Sequence, residues 1–476
     1  MLFNSIHFFL FLPVVYLLYW FVTQKNLRLQ NLLLLISSYY FYACWDYRFL
    51  FLLFFSTFLD FYSGLKIESA KTPKAAKQWM ILSIGINLGF LGLFKYYDFF
   101  ATSFASALSG LGVEAHPVLL NVILPVGISF YTFHGLSYVL DIYFNKIKAE
   151  RDFVEYGVFV SFFPLLVAGP IERATHLLPQ VKQHRKFNYG QSVEGLRLIL
   201  WGLFKKVVIA DQCAIFVDAV YADYAHASDQ QLALAVLLFS FQIYGDFSGY
   251  SDMATGVAKL FGIELLRNFN YPYFSRSIAE FWRRWHISLS SWFRDYLYIP
   301  LGGSRVSRFR QIRNTFIIFL VSGFWHGANW TFVVWGFLHA LFIMPSILLA
   351  TNRNNLTIVA EHQWLPSMKE WLQLLTTFLL TSLAWIFFRA PDLNTAWYFL
   401  HSFGKNQGHI DQLSAVYPLF ASLMMLVMEW MNRRNAVPFS HVQHKYVRYF
   451  LYLLILYSIF MMGAFINPRS FIYFQF

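Results

Sequence analysis

Asn314 to Ala350 reads NTFIIFLVSGFWHGANWTFVVWGFLHALFIMPSILLA, a run with no Asp, Glu, Lys or Arg. About 20 apolar residues suffice for one membrane-spanning helix, so this run exceeds a single clean crossing. Similar apolar segments recur near 5–22, 30–46, 48–65, 80–102, 118–144, 153–170, 195–222, 231–262, 371–389, 411–431 and 447–466. Several are too long or too short for one helix each. The expectation is an all-α polytopic membrane protein with about 11 transmembrane helices plus re-entrant or interfacial segments, forming one membrane-embedded domain over 1–476. Non-helical backbone at membrane depth is tolerated only where protein or a water-filled cavity surrounds it.

Composition agrees with that reading. Of 476 residues only 13% are charged and 21% are aromatic, against about a quarter charged in soluble domains. These values exclude a soluble enzyme, a disordered chain, a coiled coil and a disulfide scaffold. The two cysteines, Cys44 and Cys213, lie in apolar stretches, which argues against a disulfide framework or a thiolate zinc site; no metal site is expected. The net charge of +12 comes from basic residues gathered in loops, so it suits cytoplasmic loops and anionic lipid headgroups rather than nucleic acid. Ile6 to Val22 has no preceding Lys or Arg, unlike a secretory signal, and is expected to be a retained transmembrane helix.

Loop charge gives an orientation. Lys66, Lys71, Lys74 and Lys77, and further on Arg173, Lys182, Arg185 and Lys186, mark 66–77 and 171–186 as cytoplasmic, whereas 103–116 and 223–230 carry no Lys or Arg and read as external. The N-terminus then falls outside. Residues 351–370 read as external and 432–448, with Arg433, Arg434, Lys445 and Arg448, as internal; the intervening segments give the wrong parity for both, so one of them is expected not to cross. Residues 264–314 hold nine arginines, no lysine and many interleaved rings. That pattern fits an amphipathic helix at the headgroup boundary, or forked recognition of phosphate or carboxylate.

Ionisable groups in apolar segments are costly and so are functional candidates. In Ser322-Gly-Phe-Trp325-His326-Gly-Ala-Asn329-Trp330, a continuous helix would put Ser322, Asn329 and Trp330 on the face of His326. An imidazole with polar neighbours and no bulk water is a suitable general base. The same spacing also gives Gly323 and Gly327 as a small-xxx-small pair for helix packing, and spacing alone does not choose. His286, in Phe281-Trp-Arg-Arg-Trp-His286-Ile-Ser-Leu-Ser290, would share a helix face with Trp282, Arg283, Leu289 and Ser290, with Arg284, Ser288, Ser291 and Asp295 on a solvated stripe. Asp246 and Asp252 have Tyr250 and Ser248 at helical spacing and are expected in structural ion pairs. Lys205 and Lys206 are expected to snorkel to an interface. His134 and His339 read as core residues. No phosphate-cradling glycine loop, His-Glu-x-x-His pair or Gly-x-Ser-x-Gly elbow is present.

Beyond these readings, the chain carries a series of long motifs. They are Leu124-Pro-Val-Gly-Ile-Ser-Phe-Tyr-Thr-Phe133, Phe163-Pro through Ala-Gly-Pro170, Gly202-Leu-Phe-Lys-Lys-Val-Val-Ile-Ala-Asp211, and Asp246-Phe-Ser-Gly-Tyr-Ser-Asp-Met253. Phe269-Asn-Tyr-Pro-Tyr273 follows, then Phe281 to Ser290, Arg294-Asp-Tyr-Leu-Tyr-Ile-Pro-Leu-Gly-Gly303 and Trp325-His-Gly327. In order and wording they resemble the membrane-bound O-acyltransferases, within the bacterial branch that includes alginate O-acetyltransferases. The resemblance covers a core of about 120–345. It implies a central tunnel, a catalytic role for His326 and a second site position at His286. Ser322, Trp325 and Asn329 would lie beside them, and Arg283, Arg284 and Arg294 would guide the phosphates of an acyl-CoA or other acyl-carrier thioester, a donor substrate rather than a bound cofactor.

The family further implies an enzyme of the bacterial inner membrane that moves an acyl group, expected to be acetyl, to an exported polysaccharide with a periplasmic or extracellular partner protein. D-alanyl transfer to teichoic acid, acetylation of peptidoglycan, and a non-enzymatic transporter with an Asp/His proton relay are the competing readings. His134 and Gly245 stand where glutamine and cysteine are expected in close relatives.

Overall fold

A computed structural model describes residues 1–166, 169–402, 413–466 and 468–474. Val167 and Ala168 of the Phe163–Pro170 motif, and residues 411–412 of the segment expected at 411–431, lie outside the described residues. The described residues are helical and contain no strand. Seven helical runs are long and apolar enough to cross a bilayer. They carry exposed apolar side chains such as Phe51, Phe460 and Leu453, the surface a lipid-facing helix presents.

The count differs from eleven for local reasons. Leu27–Glu68 is one run of 42 residues but two helices, Leu27–Asp46 and Leu50–Glu68, joined by a 3-10 turn at Tyr47–Phe49. The segment expected at 118–144 becomes helical only from Ile128, after Gly127 in a left-handed conformation. The one expected at 153–170 stops at Ser161, ahead of Pro164. The one expected at 314–350 divides into Arg308–His326 and Trp330–Leu348, because Gly327 is extended and Asn329 caps the second helix through Thr331 N–H at 3.0 Å.

The chain divides into two compact units. The first, mainly His7–Gln191, takes in residues 258–266. The Tyr19 hydroxyl and Trp20 Nε1–H donate to the carbonyls of Phe261 and Leu260, each at 2.9 Å. The buried Glu172 carboxylate accepts Leu266 N–H at 2.6 Å and contacts His176 Nδ1 at 2.8 Å. His134 Nε2 accepts Glu172 N–H at 3.1 Å, a satisfied interior histidine as expected.

His176 lies outside the spanning helices, and its hydrogen bond to Glu172, against some desolvation, raises its pKa. A raised folded-state value means that the contact stabilises fully below the unfolded pKa and is lost as pH rises through the folded one. Melting of the wild type should therefore fall over that interval at and above about pH 6.5, and in His176→Phe that part of the pH dependence should disappear.

The second unit, mainly Ser192–Val257 and Arg267–Phe476, holds the motif-rich region. The Tyr189–Leu203 and Asp229–Leu260 helices cross where Gly202 meets Gly249 and Gly195 meets Gly256; a methyl group on Gly202 or Gly256 would run into the facing backbone. Small residues permit this close approach. Arg308–His326 and Trp330–Leu348 form an antiparallel hairpin, with Gly323 against Phe332 and Gly336. The close-packing glycine pair is thus 323 with 336, whereas Gly327 sits in the turn.

Two further expectations are corrected. Lys205 and Lys206 do not snorkel: both are buried, in a π-helical turn at Phe204–Ala210, with Lys205 bound to Asp252 at 2.7 Å and Lys206 to Asp211 and Asp246 at 2.8 Å. A lone buried ammonium is too costly to keep unpaired, and these carboxylates neutralise it; the expected ion pairs of Asp246 and Asp252 form with lysines.

The assignment of 351–370 to the external side is also overturned. Arg283 donates to the carbonyls of Asn352 and Asn355 at 2.7 Å, Arg276 to that of Thr357 at 2.6 Å, and Arg433 to those of Val359 and Gln363 at 3.2 and 2.8 Å. The 351–370 connection therefore shares a face with the arginine-rich segment and with 432–434. Loop charge counting failed because this loop is held by basic residues supplied from elsewhere. The parity conflict goes with it: Met368–Arg389 leaves that face and Leu413–Asn432 returns to it.

Candidate active site

His286 does not lie on a continuous helix. Ile278–Arg284 ends, Trp285 is extended, and His286 adopts φ +43° before Ile287–Phe293 begins. A left-handed conformation at a non-glycine residue costs about 1–3 kcal/mol and persists only where the surroundings impose it. Here Asn268 O accepts Ile287 N–H at 2.9 Å, and His286 O accepts Ser290 N–H at 3.0 Å. The break means that His286, fully buried, does not share the continuous helix face with Arg283 and Ser290 that periodicity implied. Ser288, expected on a solvated stripe, is buried and donates to Asn268 Oδ1 at 2.9 Å.

Asn268 fixes the ring. Its Nδ2 donates to Ser251 at 2.9 Å, and its Oδ1 faces His286 Nδ1 at 2.9 Å. With Nδ1 as the donor to that carbonyl, Nε2 carries the lone pair, and Nε2 has no hydrogen-bond partner among the described residues. Asn268→Leu should leave that ring unanchored. Losing one hydrogen bond and orphaning its partners costs about 1–3 kcal/mol, so a turnover that depends on the oriented ring should fall about 5- to 150-fold in kcat, with KM unchanged; steady-state kinetics separate the two.

His326 ends its helix at the tip of the hairpin, buried among Trp325 and Trp335 (ring centroids 4.9 Å), Phe388 (5.4 Å) and Tyr473 (5.5 Å). Its ring centroid is 6.5 Å from that of His286. Hydrogen bonds of about 2.8 Å from each ring would let a substrate oxygen or two adjacent ones occupy that gap. Ser322 is buried one turn before His326. Asn329 is not at the site face: its Nδ2 donates to Pro391 O at 2.7 Å and its Oδ1 caps the next helix. Trp330, expected on the same face, is exposed.

The arginines separate into two roles. Arg284 is buried against Glu280, at 2.8 Å, and donates to Asn270 O, so it is committed to the protein. Arg283 and Arg294, joined by Arg353, line a cavity of about 500 Å³ whose remaining walls include Tyr298, Gln311 and Phe319. From Phe319 a chain of rings leads inward through Trp282 (5.3 Å) and Trp335 (5.7 Å) to His326. Arg305, Arg308 and Arg310 are exposed beside Phe309, the interfacial arrangement expected of that segment.

Sequence reasoning missed Asn268, Trp335, Arg353 and Tyr473. Asn268 immediately precedes a quoted motif and could have been noticed. Tyr473 gave no signal: it comes from the C-terminal residues, where Ile472 N–H donates to Asp246 at 2.7 Å and Lys206 Nζ to Ser470 O at 3.4 Å. This anchoring lays Tyr473 over Phe247 and against His326.

Known proteins share much of this chain. It is 41% identical over 395 residues to a probable alginate O-acetylase of Pseudomonas aeruginosa, covering 83% of this chain and 73% of the relative. It is 40% identical over 428 residues to a peptidoglycan O-acetyltransferase of Helicobacter pylori, covering 83% and 78%. A teichoic acid D-alanyltransferase of Bacillus subtilis is 28% identical over 257 residues, covering 52% and 63%. The family model for membrane-bound O-acyltransferases matches residues 146–390, a range that contains His286, His326, Asn268 and the hairpin. The multi-pass helical architecture, the motif-bearing second unit and these extended similarities together make this chain a member of the membrane-bound O-acyltransferase family, and hence an acyltransferase enzyme rather than a transporter.

Proposed function

We propose that the enzyme moves an acetyl group from a cytoplasmic thioester, acetyl-CoA or an acyl-carrier thioester, toward hydroxyl groups of an exported polysaccharide in the bacterial inner membrane. The observation that carries this reading is the pair of buried imidazoles 6.5 Å apart, reached by aromatic packing from a cavity bearing three arginines. Arg294 and Arg353, beside an Arg283 guanidinium that already donates to the Asn352 and Asn355 carbonyls, suit the donor's phosphates.

At the histidines, the acceptor oxygen attacks the thioester carbonyl while its proton passes to His326. The carbon–sulfur bond then breaks, and the departing sulfur takes that proton back. His286, donating through Nδ1 to Asn268, offers Nε2 as an acceptor and so positions a substrate O–H or N–H. The oxyanion needs a donor, and Trp335 Nε1–H, buried and without a hydrogen-bond partner among the described residues, is the candidate. A periplasmic partner protein completes transfer to the polymer in this scheme.

Acetyl is favoured over D-alanyl because the two O-acetylating relatives match 83% of the chain and the D-alanyltransferase 52%. Purified protein should consume acetyl thioester in the presence of acceptor. Mass spectrometry of surface polysaccharide from a deletion strain should show lost O-acetyl groups; unchanged acetylation there would refute the reading.

A further inference from the structure

A thioester that reaches His326 past Trp335 carries its acyl group beyond the carbonyl, toward the side of the imidazole pair away from its path. Trp335 packs on Trp282, His326 and Phe388. Phe247 belongs to the other side: it packs T-shaped against His286 (ring centroids 4.6 Å) and Phe269 (5.0 Å) and lies 4.6 Å from Tyr473, which returns to His326 at 5.5 Å. With the imidazoles 6.5 Å apart, His286, Phe247, Tyr473 and His326 close a circuit of four rings. Centroid separations of about 4.5–7 Å are those of rings in contact, so Phe247 and Tyr473 meet without a passage between them.

Phe247 has little freedom to step aside. It is fully buried, and both of its chain neighbours are anchored: Asp246 binds Lys206 at 2.8 Å and accepts Ile472 N–H at 2.7 Å, while Ser248 accepts a hydrogen bond from Lys205 Nζ at 2.9 Å. The helix backbone is pinned at Gly249, which meets Gly202 too closely for either to carry a methyl group. Phe471 backs the ring at 5.6 Å. Close-packed interiors respond to even one added methylene. An acetyl group ends in a single methyl beside the carbonyl, whereas a longer chain has to displace Phe247 or Tyr473.

We infer that Phe247, with Tyr473 beside it, sets the size of the acyl group: the wall admits acetyl and rejects butyryl and longer chains. This rests on the acyl-transfer reading given above. It concerns the donor alone, and so holds whichever hydroxyl receives the group.

Calorimetry on the full chain in nanodiscs tests it, with the unreactive thioethers S-ethyl and S-hexyl phosphopantetheine as probes, since phosphopantetheine is the part that CoA and an acyl carrier share. The wild type should bind the S-ethyl probe about 5- to 150-fold more tightly, the penalty of forcing methylenes into a packed core. Phe247→Ala opens an apolar space that the longer chain can fill and should erase that preference. Phe247→Leu removes less volume, should reduce the preference at least about threefold, and keeps the test open if the alanine variant does not fold. Binding of neither probe, equal binding of both by the wild type, or a preference that both variants retain would overturn the inference. Turnover of acetyl and hexanoyl thioesters on the same preparations separates a size limit from a merely structural role, because a loosened His286 would slow both donors alike and leave their ratio unchanged. It also separates the two readings: acetyl turnover without length-selective binding defeats the size limit alone, and length-selective binding without turnover defeats the proposed reaction.

Discussion

His326→Ala is expected to abolish acetyl transfer at unchanged protein level. Removing a positioned general base lowers the rate by about 10²–10⁴-fold, and no described neighbour replaces it: the rings around His326 are Trp325, Trp335, Phe388 and Tyr473, none of them a base at neutral pH, and His286 is 6.5 Å away between centroids with its Nδ1 tied to Asn268. Truncating the ring also opens a space at the tip of the hairpin. His326→Gln separates the chemical effect from packing: it fills the space but cannot take a proton, and should be as inactive as alanine while melting near the wild type. Thioester consumption by the purified variants, beside mass spectrometry of the polymer, measures both. Transfer within tenfold of the wild type in either variant would remove His326 from the proton path.

Lys206→Met should have the largest effect on stability. The ammonium is buried between Asp211 and Asp246, each at 2.8 Å. Removing one partner of a buried ion pair while leaving the other charged costs about 3–5 kcal/mol, and here two carboxylates lose their shared cation. The same change should loosen the C-terminal residues, because Lys206 itself reaches Ser470 O and holds in place the Asp246 carboxylate that accepts Ile472 N–H. Tyr473 would then leave His326. Activity should therefore fall further than stability alone accounts for, and adding Asp211→Asn and Asp246→Asn should restore thermal stability without restoring turnover. Melting in detergent and thioester turnover on the two variants distinguish these outcomes; recovery of both together would show that the C-terminal segment is not needed at the site.

The sequence alone determined the membrane class, the family and the two histidines, for physical reasons that act locally. A run of 37 uncharged residues can only be buried in lipid or protein, and the motifs around Phe281–Ser290 and Trp325–Gly327 are contiguous in the chain. The places where that reading went wrong are breaks in helices. Periodicity carried one helix through Gly327 and another through His286, since a window of apolar residues has no term for an extended glycine or a left-handed histidine held by a distant backbone. As a result Asn329, Trp330 and Ser288 were assigned to wrong faces.

What only the tertiary structure decided are pairings across long separations. Asn268 orients His286 from 18 residues away, Lys206 meets Asp246 from 40, and Tyr473 meets His326 from 147. The 351–370 connection looked external because its own charge is low; it is held on the arginine face by guanidinium groups from Arg276, Arg283 and Arg433. Hydrogen bonds and ion pairs depend on distance in space, and in an apolar interior each buried charge must find its partner wherever the fold places it. Local sequence therefore sufficed to single out the two histidines as candidates, whereas the groups that orient and enclose them became visible only once the helices were packed.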